Sequence, residues 1–126
     1  MSDTPSLDVV CLCADWCGTC RAYAEVFESL KQTRLGHAYR WIDIEDDADG
    51  LGDIDIETFP TLMLSCEGRV LFAGPVLPRL SDAQRLVDAQ AEVALQKRWP
   101  SLTSLGLSAD QAQAFTLLAQ SLNSAR

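Results

Sequence analysis

The chain has 126 residues, 48% hydrophobic and 22% charged, which suits one compact domain with a real apolar core. Its net charge is −8 and unevenly spread: up to Pro78 there are 5 Lys and Arg against 14 Asp and Glu, and from Arg79 onward 5 against 4. With no basic patch interleaved with aromatics, nucleic-acid binding is not expected, and no apolar run reaches the roughly 18 residues of a membrane span. The opening "MSDTPSLDVVCLC" has no basic segment and only a short apolar one. It does not read as a secretory signal, so the cytoplasm is the expected compartment.

"LDVVCLC", 7–13, is a short Val- and Cys-rich run of the kind that forms a strand buried on both faces. From Cys17 to about Leu35 the apolar positions Tyr23, Ala24, Val26, Phe27 and Leu30 follow helical spacing, and Gly36 is a plausible stop. "HAYRWIDI", 37–44, reads as a second strand. The acidic stretch 45–58 reads as a loop with one helical turn. "TLMLSC", 61–66, and "RVLFAG", 69–74, read as a hairpin about Glu67-Gly68.

Pro75 and Pro78 mark a linker. Ser81-Asp82-Ala83-Gln84 has the form of a capping box, predicting a helix from about Asp82 to Arg98. Ser108-Ala109-Asp110-Gln111 is a second one, opening a helix with Ala112, Phe115, Leu118, Ala119 and Leu122 on one stripe. The first strand–helix–strand unit is expected to be right-handed and parallel, and the hairpin antiparallel, so the sheet is mixed.

Five cysteines are present, Cys11, Cys13, Cys17, Cys20 and Cys66, four of them within ten residues. A structural disulfide framework is spread out and even-numbered, so this clustering points to chemistry or to a metal. In "ADWCGTCRAY", 14–23, Cys17 stands at the first turn of the expected helix. Unpaired backbone N–H groups and the positive end of the helix dipole favour a thiolate there. Cys20 follows one turn later, placed to attack a mixed disulfide formed at Cys17. The alternative is that Cys11, Cys13, Cys17 and Cys20 are four thiolate ligands for zinc or an iron–sulfur cluster. Their spacing differs from the usual pairing of two separated CxxC knuckles, so no metal site is expected there.

"VVCLCADWCGTC" resembles the active-site strand and turn of the thioredoxin superfamily, and "ETFPTLML", 57–64, resembles its cis-proline strand start. The likeness covers roughly residues 7–98, with Trp16, Cys17, Gly18, Cys20, Pro60, Thr61 and Gly68 in the expected order. It implies a thioredoxin-like α/β fold: a four-stranded mixed sheet in order 2-1-3-4 flanked by helices. The usual N-terminal strand and helix are lacking, and a C-terminal helix is added. Residues 1–98 are the expected domain and 99–126 a helical extension packed on it or on a partner. The resemblance further implies a thiol–disulfide oxidoreductase with Cys17 and Cys20 as the redox-active pair. Trp16, Phe59, Pro60 and Thr61 would form the substrate contact. Pro60 would pack beside the cysteines, and the Phe59 backbone would pair with an extended substrate segment. A disulfide-containing protein substrate and a separate electron donor are implied, and no cofactor.

Two departures stand out. Cys11 occupies the position of the family's buried acid, and Trp41 that of the lysine facing it. Cys20 therefore needs another base, water or Asp15 being the candidates. Thr19 replaces the proline common in reducing members, and residues between the cysteines tune redox poise.

The remaining polar features have plainer readings. Cys11 and Cys13 share a strand face as small buried hydrophobes, although Cys13 lies near enough the turn to exchange with a Cys17–Cys20 disulfide. Cys66 is expected to be a partly exposed bystander. "EDDADG", 45–50, starts like a calcium loop, but Ile56 stands where a bidentate acid is required. His37, the single histidine, has no evident partner, which argues against a Cys–His protease. Trp99 and the last helix are expected to close a local helical pair, with a dimer face as the alternative. The competing function is a thioredoxin-fold binding or assembly module with little redox turnover.

Overall fold

The computed structural model describes residues 6–13, 18–43 and 60–124. Four strands, β1 (Asp8–Cys13), β2 (Ala38–Asp43), β3 (Thr61–Cys66) and β4 (Arg69–Pro75), form one sheet in the order β2-β1-β3-β4. β1 runs parallel to β2 and antiparallel to β3, and β3 is antiparallel to β4. Three helices accompany the sheet: α1 (Gly18–Thr33), α2 (Leu80–Leu95) and α3 (Ala109–Ser124), with a 3-10 turn over Leu102–Leu105. The expected strand order and mixed pairing are both present.

β1 is the central strand, and every residue in it is buried. Side-chain alternation divides it between two cores. Leu7, Val9, Cys11 and Cys13 point to the face covered by α1 and α2, where they join Cys20, Tyr23, Phe27, Leu62, Leu64 and Val87. Val10 and Leu12 point to the other face, with Ile42, Met63, Val70 and Ala73. A chain buried on both sides has no use for polar alternation, which is why β1 reads as a continuous apolar run. β2, at the edge, is mixed in burial.

The second face is covered by α3, whose Phe115, Leu118, Ala119 and Leu122 are buried in that core. The stripe read from sequence is real, but its partner is the sheet and not Trp99. Trp99 packs against the opposite core, with the Arg69 guanidinium 5.2 Å from its ring centre. The expected local helical pair is therefore not formed. The sheet offers a broad apolar face, and burying Phe115, Leu118, Ala119 and Leu122 there removes more surface from water than one indole could. The outer side of α3 keeps Leu117 exposed.

The two capping boxes fare differently. At α3 the box is made in full: Ser108 N–H donates to Gln111 Oε1 at 3.2 Å, and Gln111 N–H donates to Ser108 Oγ at 3.2 Å. At α2 it is not made. The helix starts earlier, at Leu80, with Arg79 as an N-cap residue that makes no side-chain bond. Ala83 and Val87 lie in the first core and Leu80 packs, partly buried, against it, a contact that draws the helix back past Ser81. α2 also ends at Leu95 rather than Arg98. The Lys97 and Arg98 N–H groups bond the Ala94 and Val93 carbonyls, with Lys97 at φ 55°.

The β3–β4 turn places Glu67 at φ 54° and Gly68 at φ 78°. Two consecutive left-handed residues are the requirement of a type I′ hairpin, and the first is costly for glutamate. Glu67→Asn is expected to stabilise the fold by about 1 kcal/mol, read as a higher urea midpoint with an unchanged slope.

His37 does have a partner: its Nδ1 accepts the Leu7 backbone N–H at 3.0 Å, tying the lead into β1 to the lead into β2. Only an unprotonated nitrogen can accept, and burial lowers the imidazole pKa below its ordinary 6.5. A histidine depressed in the folded state contributes stability that is complete above the unfolded pKa. That contribution falls as pH drops through 6.5 toward the folded value. Denaturation midpoints are expected to decline over that interval in the wild type, and His37→Gln is expected to flatten the decline.

Candidate redox site

One end of the sheet gathers Cys20, Pro60 and Thr61, three of the residues that the sequence marked. β1 ends at Cys13, and after four further residues α1 begins at Gly18, so Cys17 directly precedes the helix in sequence. Trp16, Cys17, Phe59 and Asp15 lie outside the described residues, as does the acidic stretch 45–58. Cys20, in the first turn of α1, is 3% exposed and belongs to the core beneath the helix. β3 begins at Thr61, which pairs with Leu12 near the end of β1. Continued by one residue, that register sets Pro60 across from Cys13. Pro60 and Thr61 are both buried, and the Pro60 carbonyl accepts the Val76 N–H at 3.2 Å. The start of the helix carrying Cys20 and the start of the strand following Pro60 thus meet at the same end of the sheet.

Below them the core is rich in sulfur. Cys11 and Cys13 are 0% and 2% exposed, and their Sγ atoms are 3.6 Å apart. Cys66 is also buried, at 3% exposure, with its thiol 3.6 Å from the Ser6 carbonyl. The expectation of a partly exposed Cys66 is wrong. Alternation along β3 aligns it with Leu62 and Leu64, so a residue next to the hairpin still faces inward. Among the described residues, no three His, Cys, Asp or Glu side chains are arranged to hold a metal ion.

The register Cys11↔Trp41 shows how the expected ion-pair position is filled. Cys11 is enclosed in apolar core, and the Trp41 ring meets Phe27 edge-on at 5.7 Å between centres. A buried ion pair at this place would have to repay a desolvation cost of several kcal/mol per ion. Thiol and indole avoid that cost, and they also remove the carboxylate.

The polar group that the sequence did not single out is Tyr23. It lies one turn after Cys20 on the buried side of α1, is fully buried, and its hydroxyl has no hydrogen-bond partner. Burial pushes its phenol well above the usual range, and Cys11, Cys13 and Asp82 act in the same direction. Tyr23 also lines a recess of about 290 Å³ with Val76, Leu77, Asp82, Ala83 and Leu86. This recess is adjacent to Pro60 through the Val76 bond. Helical spacing from Cys20 could have identified Tyr23. Val76 and Leu77 could not be found that way, because their place depends on how β4 leaves the sheet.

α1 and α2 are tied together at the far end. Arg34 makes a two-pronged pair with Asp88, Nε to Oδ1 at 2.8 Å and the terminal nitrogen to Oδ2 at 3.0 Å. The Gln84 side chain donates to Thr33 Oγ1 at 3.0 Å. The Tyr39 hydroxyl donates to the Arg34 carbonyl, and burial pushes that phenol up to about 12.

The thioredoxin family model matches residues 2–76, more than half of the chain. The chain belongs to the thioredoxin family. Over 60 residues it is 28% identical to Thioredoxin-1 of Caenorhabditis elegans, covering 48% of this chain and 52% of that protein. It therefore spans about half the length of that curated relative. Thioredoxin-like structures superpose on it at low identity. A thioredoxin variant of Halobacterium salinarum NRC-1 gives a TM-score of 0.60 at 22% identity, over 69% of this chain and 76% of the other. Fasciola hepatica thioredoxin gives 0.61 at 18% identity, over 69% and 83%. These likenesses carry the fold: the thioredoxin sheet in order 2-1-3-4, flanked by helices, with α3 at its C-terminal end. Thioredoxin membership places the chain in a family of thiol–disulfide oxidoreductases.

Proposed function

We propose that this thioredoxin-family chain reduces protein disulfides through a Cys17–Cys20 dithiol–disulfide cycle. The observation that carries the reading is the meeting of the two motifs. Cys20 is buried in the first turn of a sixteen-residue helix, and Pro60-Thr61 opens the strand paired to the end of β1.

The chemistry follows from that placement. Cys17 precedes a helix N-terminus, whose unpaired N–H groups favour a thiolate. That thiolate attacks one sulfur of a substrate disulfide and expels the other as a thiolate. The Cys20 sulfur then attacks Cys17, releasing the second substrate sulfur and closing the Cys17–Cys20 disulfide. The substrate gains two electrons and two protons, and a separate reductant returns the pair to the dithiol. The cycle needs no cofactor. Trp16, Phe59, Pro60 and Thr61 would hold the substrate backbone, and the recess beside Pro60 would take an apolar side chain. The acidic residues before Pro78 would favour basic partners. The reaction direction fits a reducing compartment such as the cytoplasm.

One observation favours a second reading. Cys11 fills the buried-acid position within apolar core, so Cys20 lacks the family's usual proton acceptor. A thioredoxin-fold binding module with little turnover would tolerate that loss. Reduction of insulin disulfides separates the two. The oxidoreductase accelerates it and Cys17→Ser abolishes the acceleration, whereas a binding module leaves the rate at background. Full activity in Cys17→Ser would refute the cycle.

A further inference from the structure

Cys11 and Cys13 take no part in the cycle just described, yet the fold buries them in the same core as Cys20. Their sulfurs are 3.6 Å apart, both side chains are shut off from solvent, and Cys20 belongs to the same core cluster. We propose that Cys11 and Cys13 form a second dithiol, which exchanges internally with the Cys17–Cys20 disulfide. This rests on the redox reading above.

The exchange is balanced without an added oxidant. The Cys13 sulfur attacks Cys20 Sγ of the Cys17–Cys20 disulfide, forming Cys13–Cys20 and expelling Cys17 as a thiolate. The Cys11 sulfur then attacks Cys13 Sγ, forming Cys11–Cys13 and expelling Cys20. The two protons lost by Cys11 and Cys13 are regained by Cys17 and Cys20. One disulfide is consumed and one is formed. The reopened Cys17–Cys20 dithiol can then reduce a second substrate disulfide, so a fully reduced chain holds four electrons rather than two.

Geometry also fixes the character of the second couple. Residues two apart on a strand have Cα atoms about 6.6–6.8 Å apart, at the upper end of the roughly 4.4–6.8 Å that a disulfide spans. Closing the bond to about 2.05 Å requires the central strand to contract. β1 is hydrogen-bonded to a neighbour on each side, which resists that contraction. The inner disulfide is therefore strained, and strained disulfides are the more oxidising and labile ones. It fills after the outer pair and returns its oxidising equivalents first. Cys66 stands outside the relay, because its sulfur is at the opposite end of the sheet, near Ser6.

The test is a disulfide count. Reduced protein is exposed to excess oxidised glutathione, quenched in acid, and its thiols are alkylated before and after reduction with distinguishable reagents. Fragment mass spectra then assign each cysteine. Two internal disulfides per chain are expected, one of them Cys11–Cys13, with Cys66 still a thiol. Cys11→Ala and Cys13→Ala are expected to hold one disulfide each while still reducing insulin. Cys20→Ala is expected to lose the Cys11–Cys13 bond.

Oxidation that stops at Cys17–Cys20, with Cys11 and Cys13 fully alkylated as thiols, overturns the inference and leaves the cycle intact. A Cys11–Cys13 bond that still forms in Cys20→Ala overturns the relay. Wild-type protein that neither closes Cys17–Cys20 nor reduces insulin overturns the underlying function instead. The single-alanine variants keep the test decisive if Cys20→Ala proves unstable.

Discussion

Phe115→Ala is expected to destabilise the chain by about 3–5 kcal/mol, enough to leave a marginally stable domain largely unfolded at 37 °C. Phe115 is 3% exposed and sits among Val10, Leu12, Met63 and Val70, on the sheet face that α3 covers. Truncation removes the transfer energy of a full aromatic ring and leaves a void that a helix lying on a rigid sheet cannot close. Urea denaturation would measure it. The second effect to look for is cooperativity. If α3 is integral to the core, the variant should still unfold in one transition. A separate early loss of helix, with the sheet persisting, would show that the C-terminal segment is an accessory.

Cys20→Ala carries the largest effect on activity. Without Cys20 sulfur, the mixed disulfide formed at Cys17 has no resolving partner one helical turn away. Reduction of a protein disulfide is expected to halt after the first attack, leaving one substrate molecule covalently attached per chain. Non-reducing electrophoresis would show the adduct, and added dithiothreitol would release it. The adduct identifies the attacking sulfur as well, since Cys17→Ser in the same background should prevent it. An alanine at a 3% exposed helix position keeps helix propensity and costs little packing volume, so loss of turnover would not be a folding effect. Turnover at the wild-type rate would mean that another thiol resolves the intermediate.

Much of the fold was legible because the local signals are strong and agree with one another. The continuous apolar run of β1, the Glu67-Gly68 turn and the helical spacing after Cys20 each predict one element, and each element is found. The order 2-1-3-4 came from the resemblance, and the strand register bears it out. The errors fall where tertiary burial overrides a local pattern. Ser81 has the sequence of a cap, but Leu80 gains more by packing against the core. Trp99 and the stripe of α3 are adjacent in sequence, yet they serve opposite faces of the sheet. Cys66 sits beside a turn, and only its register on β3 reveals that it faces inward. The site divides in the same way. Cys20, Pro60 and Thr61 are motif residues and could be read directly. Tyr23 follows Cys20 by one helical turn and was within reach of that spacing, whereas the Val76–Leu77 recess arises from packing between α1, α2 and the end of β4, which no spacing rule contains.

The placement of α3 also bears on how the chain is made. A ribosome releases the sheet and the helices of its first face before the segment that covers the second. During that interval Val10, Leu12, Met63 and Val70 form an open apolar surface on a nearly finished sheet. Such surfaces are where nascent chains associate wrongly or recruit chaperones. A ribosome-bound intermediate ending before Ala109 should therefore be the stage of synthesis most dependent on chaperone protection. Release of the α3 segment should end that dependence in one step.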